Sequence, residues 1–143
     1  MAGPAFIETN IRLAAMRQIH AAIEHQQRQD YECAITLAAA AEGVLPATDE
    51  PHFHQKVKDF AAALPDAVEG AQKPNDFITW LKHGTYNGKK CETATIDYSE
   101  SLVIIWRAIT KFFAVYDDVS PQMQSWAKTI REELSAEMTA KQA

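Results

Sequence analysis

Between Asp97 and Tyr116 the apolar residues recur at alternating intervals of four and three: Tyr98, Leu102, Ile105, Ile109, Phe112 and Tyr116. At about 3.6 residues per turn, only an α-helix gathers these positions on one face. Trp106 and Phe113 widen that face until most of the circumference is apolar. A helix so apolar has to be covered by other elements, and this requirement points to a bundle. The preceding Asp97-Tyr-Ser-Glu100 is an acidic variant of the capping box, in which two side chains satisfy backbone N–H groups at the helix start.

The flanking sequence is helical too. A first helix is expected over Ile7–Gln29, with Ile7, Ile11, Ala15, Ile19 and Ala22 as its stripe and Leu13, Met16 and Ile23 beside it. Glu24 and Arg28 stand one turn apart, as an ion pair would. A second helix, Asp30–Gly43, is expected to take Asp30 as its N-cap. Its run Leu37–Ala41 is small nearly all round and lets a neighbour come close. Gly43 and Pro46 end it. A third helix is expected over Pro51–Leu64, and a short one over Pro74–His83 that stops at Gly84. The stretch Thr85–Ile96 is expected to be a loop, with Asn87-Gly88 as a turn. Ser120-Pro121 opens a last helix whose narrow stripe, Met123, Trp126, Ile130 and Leu134, either docks on the bundle or forms a dimer contact.

No segment alternates apolar and polar residues, so no sheet is expected. The fold class is therefore all-α: an antiparallel up-and-down bundle of four core helices, plus the short helix and the C-terminal one. One domain is expected, with its core over about residues 7–117 and its last helix over about 120–140.

A chain of 143 residues, 47% of them apolar, can bury a core without disulfides or metal. Its 14 Lys and Arg stand against 19 Asp and Glu, a net charge of −5 that argues against non-specific nucleic-acid binding. Lys82, Lys89 and Lys90 form the dense basic cluster. Cys33 and Cys91 lack metal or redox spacing, which fits a reducing compartment. Cys33 is expected to be buried, and Cys91 exposed beside Lys89 and Lys90. The chain shows neither a run of about 18 apolar residues nor a leader pattern, so a cytoplasmic protein is expected.

The segment Asn75-Asp-Phe-Ile-Thr-Trp-Leu-Lys82-His83-Gly84 is the main candidate for chemistry. Lys82 and His83 close a helix, where cations favour the negative end of its dipole. They either cap that end or form an anion or nucleotide site in which His83 titrates near neutrality. Glu42 closes the apolar run from Ala34, and if buried it needs a cation, a role His83 or Lys82 could fill. His20, His25, His52 and His54 complete no metal-ligand spacing, and no metal or cofactor is expected. Ser99 and Ser101 fit a helix start better than a nucleophilic role, and no phosphate loop is present.

Two stretches together carry a resemblance. Asp30-Tyr-Glu-Cys-Ala-Ile-Thr-Leu-Ala-Ala-Ala-Ala-Glu42, followed by Asn75 through His83, resembles a family of small bacterial HEPN-like helical-bundle proteins. In that family an alanine-rich helix with a glutamate precedes an N-x-F-x-K-H-like segment and a long core helix. The resemblance implies a commonly dimeric bundle, with Glu42, Asn75, Lys82 and His83 as the matching positions. It points to a non-enzymatic binding or regulatory module for a small anionic ligand or nucleotide. The HEPN superfamily also includes ribonucleases of toxin and defence systems, which carry an Arg followed about four to six residues on by His. Here Arg17 precedes His20 and His25 at other distances, and no Arg closely precedes His83. A ribonuclease or toxin–antitoxin component without that pair is one alternative. A protein–protein interaction scaffold using the last helix is another.

Overall fold

The computed structural model describes residues 5–48 and 73–142 as an all-α helical bundle with one small hairpin. Its elements are α1 (Ile11–Gln27), α2 (Tyr31–Val44), α3 (Lys73–His83), β1 (Thr85–Tyr86), β2 (Lys89–Lys90), α4 (Tyr98–Tyr116) and α5 (Pro121–Gln142). The helix expected over residues 51–64, with His52 and His54, lies outside the described residues. No helix among the described residues is long and apolar enough to cross a membrane.

The α4 helix is the centre, as its apolar spacing requires. Leu102, Ile104, Ile105, Ala108 and Phe112 are buried along it, and it packs on α1, α2 and α3. Its capping box forms as expected: Asp97 Oδ1 accepts from the Ser99 N–H at 2.8 Å, and Glu100 Oε2 accepts from the Asp97 N–H at 2.9 Å. Glu100 is buried, and burial together with its hydrogen bond to Asp97 pushes its carboxyl up to about 7. Asp97 moves the other way, held below the usual carboxylate range by its bonds to Glu100 and Ser99.

The most extensive contact is between α1 and α2. Ala15, Ile19, Ala22 and Ile23 of α1 are buried with Ala34, Ile35, Ala38 and Ala41 of α2. The alanines leave little between the two backbones, which lets the helices pack closely.

Several expectations are corrected at the bundle's margins. The first helix begins at Ile11 rather than Ile7, because Asn10 caps it by accepting from the Leu13 N–H at 2.8 Å. Ile7 and Ile11 are exposed. Asp30 occupies the N-cap position of α2 but makes no capping bond. Its carboxylate turns instead to His25 Nδ1 at 3.3 Å and Arg28 Nε at 3.6 Å, so Arg28 serves this turn rather than Glu24. Cys33 is exposed, because it lies on the face of α2 opposite the buried Ala34–Ile35–Ala38 seam. The loop after α3 contains an antiparallel pair, Thr85 with Lys90 and Tyr86 with Lys89. Asn87 (φ 52°) and Gly88 (φ 79°) are its turn, a two-residue reversal with both central residues left-handed. Two-residue strands are too short to show any alternation.

The stripe of α5 docks on the bundle. Met123, Trp126 and Ile130 are buried, while the helix beyond Leu134 is exposed, with Met138 52% accessible. Polar groups fix the docking. Trp126 Nε1 donates to Gln26 Oε1 at 2.7 Å, Gln26 Nε2 donates to Ser101 Oγ at 2.8 Å, and Ser101 Oγ donates to the Tyr98 carbonyl at 2.7 Å. Ser120 caps α5 through the Met123 N–H and lies 2.7 Å from His20 Nε2. Burial holds the His20 ring below its ordinary pKa, against a weaker upward pull from Glu24.

Candidate functional site

Arg107 is the one cation among the largely buried residues of α4 from Leu102 to Ile109. A charge in such a run has to find partners. Arg107 Nη2 donates to Glu42 Oε1 at 2.9 Å, and Nη1 donates to Asn75 Oδ1 at 3.0 Å. One guanidinium thus ties the end of α2 to the start of α3. One turn further along α4, Lys111 Nζ donates to the Glu42 carbonyl at 2.7 Å. That bond neutralises part of the negative end of α2, whose last carbonyls have no helical partners.

Glu42 is therefore partly buried and held by Arg107, not by His83 or Lys82 as the sequence suggested. Among the described residues, only one of its carboxylate oxygens is engaged. Glu42 Oε2 is buried and accepts no hydrogen bond among the described residues. An ionised carboxylate oxygen in that state carries a desolvation cost that a donor would relieve. The site thus offers a hydrogen-bond acceptor, two cations and the exposed Asn75 amide. Asp76, in the first turn of α3, is the other acid nearby in sequence.

The remaining expected residues, Lys82 and His83, are exposed at the far end of α3. Gly84 ends the helix with φ 66°, its N–H bonded to the Trp80 carbonyl at 2.7 Å. The His83 carbonyl accepts from Lys90 Nζ at 2.8 Å, so the hairpin folds back over the helix end. Trp80 Nε1 anchors the hairpin's exit through the Cys91 carbonyl at 2.7 Å. Lys82, His83, Lys89 and Lys90 consequently share one end of α3. Asn75 and Lys82 are seven positions apart on α3, which places them on the same helix face with roughly 10 Å of rise between them.

Of the four candidate residues, Glu42 and Asn75 come together, while Lys82 and His83 lie about two turns away along the same helix. Sequence reasoning missed Arg107 and Lys111. The available signal was a lone arginine inside Leu-Val-Ile-Ile-Trp-Arg-Ala-Ile, a stretch otherwise destined for the core. Among the described residues, no three His, Cys, Asp or Glu side chains are grouped as a metal site would need.

No protein-family model matches the chain, nor does any curated protein or solved structure.

Proposed function

We propose that this chain is a HEPN-like, non-enzymatic binding or regulatory module that takes a small anionic ligand, a nucleotide above all. It acts as a cytoplasmic homodimer of bacterial type. The ligand lies along the exposed face of α3. Its base or other donor-bearing end meets Glu42 and Asn75, and its phosphate end meets Lys82 and His83.

The observation that carries this reading is Glu42 Oε2, buried without a hydrogen-bond partner among the described residues and beside an arginine that already serves two elements. An amino or imino N–H of a nucleobase is the kind of donor that oxygen lacks. The α3 geometry supports the other half, because Lys82 stands on the Asn75 face at a distance a mononucleotide spans. The basic hairpin beside it adds positive charge in a chain that is acidic as a whole.

Native mass spectrometry of the purified protein comes first, since it reports subunit number and retained mass together. Titration with adenosine and guanosine monophosphates, read by calorimetry, follows. Lys82→Ala with His83→Ala is expected to weaken binding at least about tenfold with helicity intact, and Glu42→Gln is expected to do the same. Failure of both nucleotides to bind, or unfolding of the Lys82/His83 variant, removes the reading.

A further inference from the structure

A cavity of about 570 Å³ opens between α1, α4 and α5, on a different part of the bundle from the Glu42 cluster. Its wall is built, since Gln26 and Trp126 are 4% and 5% exposed and hold one another by the indole N–H bond. Its mouth is aromatic and acidic. Tyr31 and Tyr98 stand 6.2 Å apart with their rings tilted at 59°, and the Tyr98 hydroxyl donates to Glu133 Oε2 at 2.9 Å. Ile23 and Ile130 supply apolar lining.

The charge of the lining is one-sided. Among the described residues that line it there is no Lys, Arg or His, and Glu133 is the one carboxylate. Two arginines next to lining residues are turned elsewhere. Arg28 sits beside Gln27 and Gln29, both of which line the cavity, but its guanidinium goes to His25 and Asp30. Arg131, one residue from Ile130, lies over the Trp106 ring at 5.6 Å. The Tyr98 phenol is pushed well above its ordinary pKa by burial first, and by Glu133, Tyr31 and Glu137 after it. Burial disfavours any unpaired charge here, and the Glu133 and Glu137 contributions set the sign: a charge that enters is favoured only if it is positive and paired with Glu133.

We infer that this cavity is a second binding site, for a small organic cation carrying a primary alkylammonium group. Its N–H groups meet Glu133 and the amide oxygens of the lining glutamines, its charge meets the faces of Tyr31 and Tyr98, and its alkyl chain meets Ile23 and Ile130. This site selects the charge opposite to that of the ligand proposed above, and it rests on separate residues.

The test uses the full chain and three probes: butane-1,4-diamine, butane-1,4-diol and inorganic phosphate. The readout is the NMR signal of the Trp126 indole N–H together with the ring signals of Tyr31 and Tyr98. The diamine is expected to shift these saturably, while the diol and phosphate leave them in place. Glu133→Gln keeps an acceptor for the Tyr98 hydroxyl but removes the charge, and is expected to weaken the diamine about tenfold. Glu132→Gln, on the same helix and outside the lining, leaves it unchanged, as does Glu42→Gln. A diamine that shifts nothing at these residues, a diol that binds as well, or a Glu133→Gln variant that binds the diamine undiminished each overturns the proposal. Loss of nucleotide binding alone touches only the Glu42 reading.

Discussion

Arg107 and Glu42 form an ion pair in which both side chains are largely buried, 21% and 19% exposed, yet among the described residues only one carboxylate oxygen is bonded. The pair joins α4 to the end of α2, and the same guanidinium reaches Asn75 on α3. Removing Arg107 strands a partly buried carboxylate. Arg107→Ala is expected to lower unfolding stability by about 1–3 kcal/mol in urea titrations. In the Glu42→Gln background the same change costs less, since no charge is left behind. Equal losses in both backgrounds would mean that the pair contributes nothing beyond packing.

The Gln26 amide gives a second prediction. Gln26→Leu leaves the Trp126 N–H without its acceptor, and is expected to cost about 1–3 kcal/mol and to loosen α5 first. Amide hydrogen exchange along residues 121–131 reads the loosening. Adding Trp126→Phe, which removes the orphaned donor, recovers part of the loss. No recovery would assign the cost to shape alone.

Glu100 gives a pH dependence with a defined sign. Its folded pKa, about 7, lies above the ordinary 4.5, so the folded state holds the proton more tightly. The stability it contributes is complete below about 4.5 and is lost as pH rises through about 7. Glu100→Gln, which still accepts from the Asp97 N–H, is expected to flatten that decline. His20 works the opposite way across an overlapping range. Its folded pKa is lowered, so its contribution is present above the ordinary 6.5 and is lost as pH falls. Melting temperatures of Glu100→Gln and His20→Gln from pH 4.5 to 8 separate the two. A Glu100→Gln profile as steep as the wild type refutes the assignment.

The seam between α1 and α2 should resist enlargement. Ala38 is fully buried among other alanines and isoleucines. Ala38→Leu is expected to destabilise by roughly 1–3 kcal/mol, because the helices must separate to admit it. Ala40→Leu, on the exposed face of the same helix, is the control and should be nearly neutral.

What the sequence disclosed followed from periodicity. The α4 face, the capping box at Asp97, the small-residue seam of α2 and the apolar stripe of α5 all repeat or punctuate at helical spacing, so their reading transferred to the structure, although spacing leaves open whether the α5 stripe docks on the bundle or on a second chain. Where the reading failed, the local signal was ambiguous or absent. Ile7 and Ile11 extend the α1 spacing, but nothing in a spacing says where Asn10 will start the helix. Residue type argues for a buried Cys33, while its place on the helix decides its exposure. The hairpin at Asn87-Gly88 had a turn signal and no strand signal. The site was half legible: Glu42 and Asn75 stood out, but their partner Arg107 was hidden inside the most persuasive apolar run in the chain. The pairing is long-range, 65 residues from Glu42 to Arg107, and no local pattern reports it.

The Gln26–Trp126 bond has a further consequence, for the alignment of α5. Apolar contact alone is indifferent to a slip of one turn, about 5.4 Å, since Met123, Trp126 and Ile130 would exchange places over similar ground. The amide is not indifferent, because it offers one acceptor in one direction at one depth. The bond therefore acts as a key that favours a single alignment of α5, and the Ser120–His20 and Tyr98–Glu133 bonds at either side of it are met only in that same alignment.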